Sequence, residues 1–280
     1  MNCDVIVQIR VLSCRLSLLF NVFKQNKNNE RIRMNFTAIN QDFIDWAKSF
    51  SGMNGGNLKA PLWFCGIEFG GGDPIYFKIN ERYCYKNTEG KFVPCWNDKF
   101  KQDKKDYKKW QYGQKVAKIS CQYKTGQIGY EIYQDYMDRL FTKDGDTFAM
   151  NLYPLSFTES SDDAWDEIHY KETGFPNKIM YKAWCMAYRF PFLRELVYGN
   201  KPKVLICTGN NFWKDFRLAF APQEMLFENS FYNKLKIDKY DCEWFEHKGT
   251  VVILTPFLGQ GGIMSDNGLK ALAEFAKKLT

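Results

Sequence analysis

Four short apolar runs, separated by helix-patterned segments, constrain this chain more than any other feature. They are APLWFCGI (60–67), DTFAMNLYPLSF (146–157), KPKVLICTG (201–209) and TVVILTP (250–256). None alternates apolar with polar residues. Each must therefore be buried on both faces, the pattern of a parallel sheet covered by helices on both sides. Helical spacing is legible between the runs. NQDFIDWAKSF (40–50) places Phe43, Trp46, Ala47 and Phe50 on one face, with Asn40 as a cap. GQIGYEIYQDYMDRLF (126–141) repeats apolar residues at Ile128, Ile132, Tyr136 and Leu140. Residues 177–198 read as helix, broken or kinked at Pro191. SDNGLKALAEFAKKL (265–279) has Ser265 and Asp266 at its positive end, Lys277 and Lys278 at its negative end, and a stripe of Leu269, Leu272, Ala273 and Ala276. The expected fold is α/β: a three-layer α/β/α sandwich with a central four-stranded, mainly parallel sheet.

A chain of 280 residues suits one large domain or one and a half. Residues 1–33 are expected to lie outside the core fold. Their apolar part, VIVQIRVLSCRLSLLFNVF (5–23), is interrupted by Arg10 and Arg15. It is too short and too charged to span a membrane, and it has no small-residue cleavage site. Residues 34–280 then form a single domain with a basic insertion at about 78–122, because 73–126 show no regular period.

The nine cysteines include no CxxC pair, which points to a reducing cytoplasm rather than a disulfide scaffold. Cys65, Cys185 and Cys207 lie in apolar runs, where a thiol packs as a small hydrophobe. Cys84, Cys95 and Cys121 could serve as metal or cluster ligands, but their spacing is loose, and no metal and no cofactor are expected. A net charge of +7 with 17% aromatic residues fits a polyanionic partner met by stacking platforms. A surplus of surface lysines would give the same numbers without a partner. The basic run KFKQDKKDYKKWQYGQK (99–115) interleaves Lys104, Lys105, Lys108 and Lys109 with Tyr107, Trp110 and Tyr112. It reads either as a phosphate-tracking surface or as a solvated loop.

Three of the four strand exits carry unusual residues. Glu68 stands among glycines, Asn151 precedes Pro154, and Gly259, Gln260, Gly261 and Gly262 follow the last strand. In a parallel sheet these exits share one edge, and ligands of open α/β sheets bind at that edge.

A strand ending in Gly66-Ile67-Glu68, a strand ending in Asn151 before a proline, the PKVLICTG strand and the final VVILTP strand with its loop and helix form an ordered set. The set resembles the uracil-DNA glycosylase superfamily over roughly residues 58–280, the basic insertion excluded. The resemblance implies that Glu68 is the catalytic carboxylate and that Asn151 reads the edge of a flipped base. It makes Gly66, Ile67 and Gly70 part of the base pocket. It makes Gln260, Gly261, Gly262, Ile263, Met264 and Ser265 the loop that wedges into DNA. Two positions depart from the family pattern. Phe257 stands about where the family carries a histidine, and Gln260 or Ser265 are the candidate replacements. Gly70 stands where narrow-specificity members carry a tyrosine that blocks the thymine methyl, so a C5-substituted pyrimidine is expected to fit.

The chemistry suits these residue types. Cleaving a base from deoxyribose builds positive charge on the sugar, which a carboxylate on a rigid strand end can stabilise while it activates water. A turn carboxylate bonding nearby amides would explain Glu68 without chemistry. Asn151 offers a donor and an acceptor to a pyrimidine edge, or forms a turn. Tyr76 and Phe77 stack on an extruded base, or pack in the core. The apolar tip of the 260–265 loop wedges between bases, or merely connects strand to helix.

The expected activity is that of a monofunctional DNA glycosylase: base flipping and hydrolysis of the N-glycosidic bond to an abasic site, on a modified pyrimidine, with phage defence as its setting. The expected partner is single- or double-stranded DNA, bound by a cytoplasmic monomer without membrane contact. The alternative is a catalytically silent protein of the same fold that binds or senses nucleic acid. A third reading is an unrelated α/β enzyme for nucleotides or small molecules.

Overall fold

The computed structural model describes residues 38–50, 52–70, 77, 81–95, 109–126, 130–158, 161–259, 262–263 and 265–280. All of them fall in the compact unit Ala38–Thr280. The expectation for 1–33 lies outside the described residues.

In chain order the elements begin with helix α1 (Gln41–Ala47) and strands β1 (Gly55–Gly56), β2 (Leu62–Gly66), β3 (Phe69–Gly70), β4 (Cys84–Lys86) and β5 (Phe92–Pro94). Helices α2 (Gln111–Thr125) and α3 (Tyr130–Arg139) follow, then β6 (Thr147–Asn151), β7 (Ser156–Phe157) and α4 (Glu167–Thr173). Next come α5 (Lys178–Trp184), a π-turn (Cys185–Arg189), α6 (Phe190–Asn200), β8 (Val204–Thr208) and α7 (Trp213–Phe220). The chain ends with β9 (Asn233–Ile237), β10 (Tyr240–His247), β11 (Thr250–Thr255) and α8 (Asp266–Lys278).

The main sheet among the described residues has seven strands in the order β1-β6-β2-β8-β11-β10-β9. The four expected strands are its parallel centre, β6-β2-β8-β11. The expectation of four strands in all is corrected by three antiparallel additions at the two edges: β1 on one side, β10 and β9 on the other. The additions carry a weak signal. β1 is two glycines, and β9 leaves Asn233, Lys234 and Lys236 exposed, as an edge strand can. A two-residue turn, Lys248 at φ 51° and Gly249 at φ 79°, closes the β10–β11 hairpin with the positive dihedrals such turns need.

Strand alternation sends side chains to two separate cores. Trp63, Cys65, Phe148, Met150, Leu205, Cys207, Val252 and Leu254 join one cluster with residues of α1, α5, α6 and α7. Leu62, Phe64, Ala149, Val204, Ile206, Val251 and Ile253 join the other with residues of α2, α3 and α8. Helices therefore cover both faces, which explains why the central runs are apolar throughout. The stripe of α8 is placed as its spacing requires: Leu269 and Leu272 are fully buried, and each contributes about 1.5–3 kcal/mol.

One expectation is corrected. Residues 73–126 are not without period, since 111–125 form α2. This helix packs Val116, Ala117 and Ile119 into the second core. It runs alongside α8 in the same direction, tied by Lys118 to Asp266 (2.7 Å), Gln122 to Glu274 (3.2 Å) and Tyr123 to Thr280 (3.0 Å). Its three lysines and Gly113 obscure the pattern. At Pro191 the interruption expected of the helix takes the form of a π-turn just before the proline. The helical run continues from Lys178 to Asn200 through the π-turn, in which Phe190 N–H donates to Cys185 O. A proline has no N–H to offer the preceding turn, and the wider π-turn absorbs that defect. In α3 the buried face is Tyr133 and Met137, with Tyr136 only partly covered.

Among the described residues no helix is long and apolar enough to cross a membrane. Cys65, Cys185 and Cys207 are fully buried, as their apolar surroundings suggested. No group of His, Cys, Asp or Glu side chains placed to hold a metal occurs among the described residues.

Candidate active site

The parallel strands deliver their carboxyl ends to one edge. Gly66 pairs with Asn151 in register, and Thr208 with Thr255. Beyond the sheet the β2 and β6 exits continue side by side. Leu152 N–H donates to Gly66 O (3.0 Å) and Tyr153 N–H to Ile67 O (2.8 Å). β3 then pairs with β7, Phe69 against Ser156 and Gly70 against Phe157. On the other side Gly209 N–H donates to Thr255 O (2.8 Å), joining the β8 and β11 exits. The exits of β6, β2, β8 and β11 thus share one edge although they are far apart in sequence.

Glu68 lies on the first of these exits with a side chain only 9% exposed. Its Oε1 is 3.4 Å from Nζ of Lys178, which is 0% exposed and opens α5. The Lys178 ammonium also sits over the Phe157 ring, 3.6 Å from its centroid. The other oxygen, Oε2 of Glu68, is buried and accepts no hydrogen bond. Burial pushes the Glu68 carboxyl above the usual range, and Lys178 offsets part of that rise. Burial pushes the Lys178 amine below its usual range, and Glu68 offsets part of that fall. The pair is therefore held closer to proton exchange than an exposed pair. An orphan carboxylate oxygen at a strand exit is a position for a ligand hydrogen or a water.

A second polar group borders the first. Lys182 Nζ donates to Asp162 Oδ1 (2.6 Å) and lies 5.9 Å from the Tyr153 ring and 6.0 Å from the Phe212 ring. The Tyr153 hydroxyl donates to Asp215 Oδ2 (3.1 Å), and burial raises the Asp215 carboxyl.

Asn151, 6% exposed, aims Nδ2 at Asn54 Oδ1 (3.4 Å) and Oδ1 at Gly66. Its backbone is held by a residue that sequence reasoning missed. The fully buried Arg189 guanidinium donates to Asn151 O (3.0 Å), Leu152 O (2.9 Å) and Ala47 O, with Gly52 O at 3.5 Å. No local signal marks it, since the same helical run also carries Lys178, Lys182, Arg194 and Glu195.

The other expected residues divide. Ile67 packs on Gly209: a Cβ there would stand 3.2 Å from the Ile67 side chain. Gly70 is exposed, and a Cβ on it would meet nothing within 4 Å. Phe77 is corrected as a stacking residue, because its ring packs against Phe43 (5.6 Å) and Trp46 (5.4 Å) beside α1. Ile263 is corrected as a wedge, being fully buried in the second core. Its N–H donates to Phe257 O (2.9 Å) and Gly262 is buried in the same tight turn, so these two side the loop with the core. Ser265 is corrected as a substitute donor. Its Oγ caps α8, accepting from Gly268 N–H (3.0 Å) and donating to Asp238 Oδ2 (3.2 Å).

Phe257, at the β11 exit, is the exposed aromatic of this loop, at 47%. Lys109 and Trp110 are exposed at the start of α2, whereas Lys115 from the same basic run is turned inward and buried. Tyr76, Gln260, Gly261, Met264, Lys104, Lys105 and Lys108 lie outside the described residues. His169 reaches the site indirectly, its ring stacked on Phe157 at 5.0 Å and its Nδ1 2.7 Å from Asp166 Oδ1.

Comparison of the chain with family models, with curated proteins and with solved structures returned no match.

Proposed function

We propose that the protein is a DNA glycosylase that flips a base from DNA and hydrolyses its N-glycosidic bond to leave an abasic site. The observation that carries this reading is Glu68. It projects from a glycine-flanked strand exit, one oxygen held by Lys178 and the other buried without a partner. A carboxylate in that condition can face the anomeric carbon, stabilise the oxocarbenium character that develops there and orient a water. Asn151 supports the reading as a second polar group of the same edge, set beside Gly66 in register. Open space around Gly70 supports a pyrimidine with a C5 substituent as the substrate, as in modified phage DNA. The helices on both faces of the sheet are compatible with the three-layer sandwich of the uracil-DNA glycosylase superfamily.

No imidazole lies at the β11 exit, where Phe257 stands. A missing preorganised donor costs on the order of 10²–10³ in rate. A base that is itself a good leaving group suits such a site better than uracil does.

The test is incubation with uracil-containing, mismatched and phage-modified DNA, followed by alkali to reveal abasic sites. Full activity in Glu68→Gln would remove Glu68 from the mechanism. A second reading, a silent nucleic-acid-binding protein, is favoured by the closure of Glu68 onto Lys178. It expects salt-sensitive DNA binding with no abasic product on any substrate.

A further inference from the structure

Lys178 has no counterpart among the residues singled out from the sequence, yet among the described residues it is the charged group paired with Glu68. Its amine is fully buried, lies on the face of an aromatic ring and stands 3.4 Å from a carboxylate oxygen. A lysine taken out of water in this way is suited to act as a nucleophile toward a carbonyl carbon, provided a base is at hand to take its proton. Glu68 is that base. Desolvation of the amine works in the same direction. A sugar whose C1′ faces Glu68 brings the same carbon toward Nζ, because the two groups are within one hydrogen-bond length of each other.

Once a base has been removed, that carbon becomes an aldehyde in the ring-opened form of the abasic sugar. We infer that Lys178 forms a Schiff base with C1′ of an abasic deoxyribose and that the protein cleaves the strand 3′ to it. This rests on the glycosylase reading for the identity of the sugar, but not for the presence of the amine and carboxylate.

The step balances without an added reagent. Glu68 takes one proton from the Lys178 ammonium, the freed Nζ lone pair attacks C1′, and the aldehyde oxygen, receiving a second proton from Nζ and the first back from Glu68, departs as water to leave a protonated imine and a carboxylate. Glu68 takes a proton from C2′. That electron pair forms the C2′–C3′ double bond, and the 3′ phosphate leaves with the C3′–O bond electrons. Water then hydrolyses the imine, returning the amine and releasing an unsaturated aldehyde on the 5′ fragment.

The experiment uses the full chain and oligonucleotides, single-stranded and duplex, that already carry an abasic site. Borohydride is added to reduce any imine to a stable amine, and the products are separated on a denaturing gel. The expected result is a protein–DNA adduct that maps by peptide analysis to Lys178 and falls at least tenfold in Lys178→Arg, which keeps the charge beside Glu68. Glu68→Gln is expected to form the adduct more slowly, for want of the base that deprotonates Lys178, and to lose strand cleavage. Absence of an adduct, or mapping to another lysine, overturns the inference even if Lys178→Arg folds poorly, because the mapping is done on the wild type. Cleavage undiminished in Glu68→Gln overturns the role of Glu68 as base. Base release from intact DNA without any adduct removes only the lysine step. An adduct on the prepared site without base release from any DNA removes only the glycosylase reading.

Discussion

Asn151 Oδ1 occupies the space where a side chain at position 66 would begin: a Cβ on Gly66 would stand 2.4 Å from it. This contact across the β2–β6 pair favours glycine at position 66. Gly66→Ala is therefore expected to push the Asn151 amide aside and to cost about 1–3 kcal/mol, the usual price of overpacking. Removing the obstacle should relieve it. In Gly66→Ala/Asn151→Ala the cost of the alanine at 66 should fall by at least about half, a coupling that a double-mutant cycle in urea reads directly. Strict additivity would mean that the contact does not explain the glycine.

The Glu68–Lys178 pair makes stability depend on pH in a defined direction. Lys178→Met leaves a buried carboxylate without its counter-charge and should destabilise by about 3–5 kcal/mol near neutral pH. Burial already holds Glu68 above its ordinary value of 4.5, and Lys178 is the main influence lowering it. Without Lys178 the folded-state value rises further. Between the unfolded and folded values the folded variant keeps a proton that the unfolded chain has lost, so its stability declines as pH rises through that window. The gap between wild type and variant should thus widen as pH rises above the ordinary carboxylate value of 4.5 in chemical denaturation. A gap that stays level with pH would show that the loss comes from packing against Phe157 and not from charge.

Arg189 carries three backbone segments at once: the end of α1 at Ala47, the turn at Gly52 and the β6 exit at Asn151 and Leu152. Arg189→Met strips donors from buried carbonyls, and each carbonyl left unpaired costs about 1–3 kcal/mol. A total loss of about 3–5 kcal/mol is expected by urea unfolding. Arg189→Lys should recover only part of it, because a single ammonium lacks the fork that reaches several carbonyls. Equal stability of Arg189→Lys and wild type would contradict that geometric account.

The centre of the sheet was legible because the strands are buried on both faces, so Leu62 to Cys65 and Val204 to Cys207 had to be apolar whichever way they pointed. The edges were not. β9 pairs through its backbone while its lysines face water, and α2 hides three lysines around a narrow buried stripe. At the site, Glu68 and Asn151 could be singled out because their neighbours are glycine and proline, residues that mark a chain turning away from a strand. Lys178 and Arg189 could not. Their partners, Glu68 and the carbonyls of residues 47, 151 and 152, are brought to them only by tertiary folding. The loop after β11 misled for a related reason. An isoleucine after two glycines reads as an exposed tip, but Ile263 N–H donates back to Phe257 O and Ile263 is planted in the core.

That reversal sets the last expectation. Ile263→Ala should behave as a core truncation, losing about 2–5 kcal/mol of stability. Its affinity for an oligonucleotide should stay within about twofold of wild type when measured well below the melting temperature. Phe257→Ala should do the opposite. Phe257 is about half exposed at the β11 exit, so truncation should change stability by no more than about 1 kcal/mol. If its ring stacks on a base, affinity should drop roughly 5- to 100-fold, since one stacked base is worth about 1–3 kcal/mol. Fluorescence anisotropy with a labelled oligonucleotide, run beside urea unfolding of both variants, separates the two roles. A large affinity loss in Ile263→Ala with stability intact would return the wedge to Ile263 and require this loop to open when DNA binds.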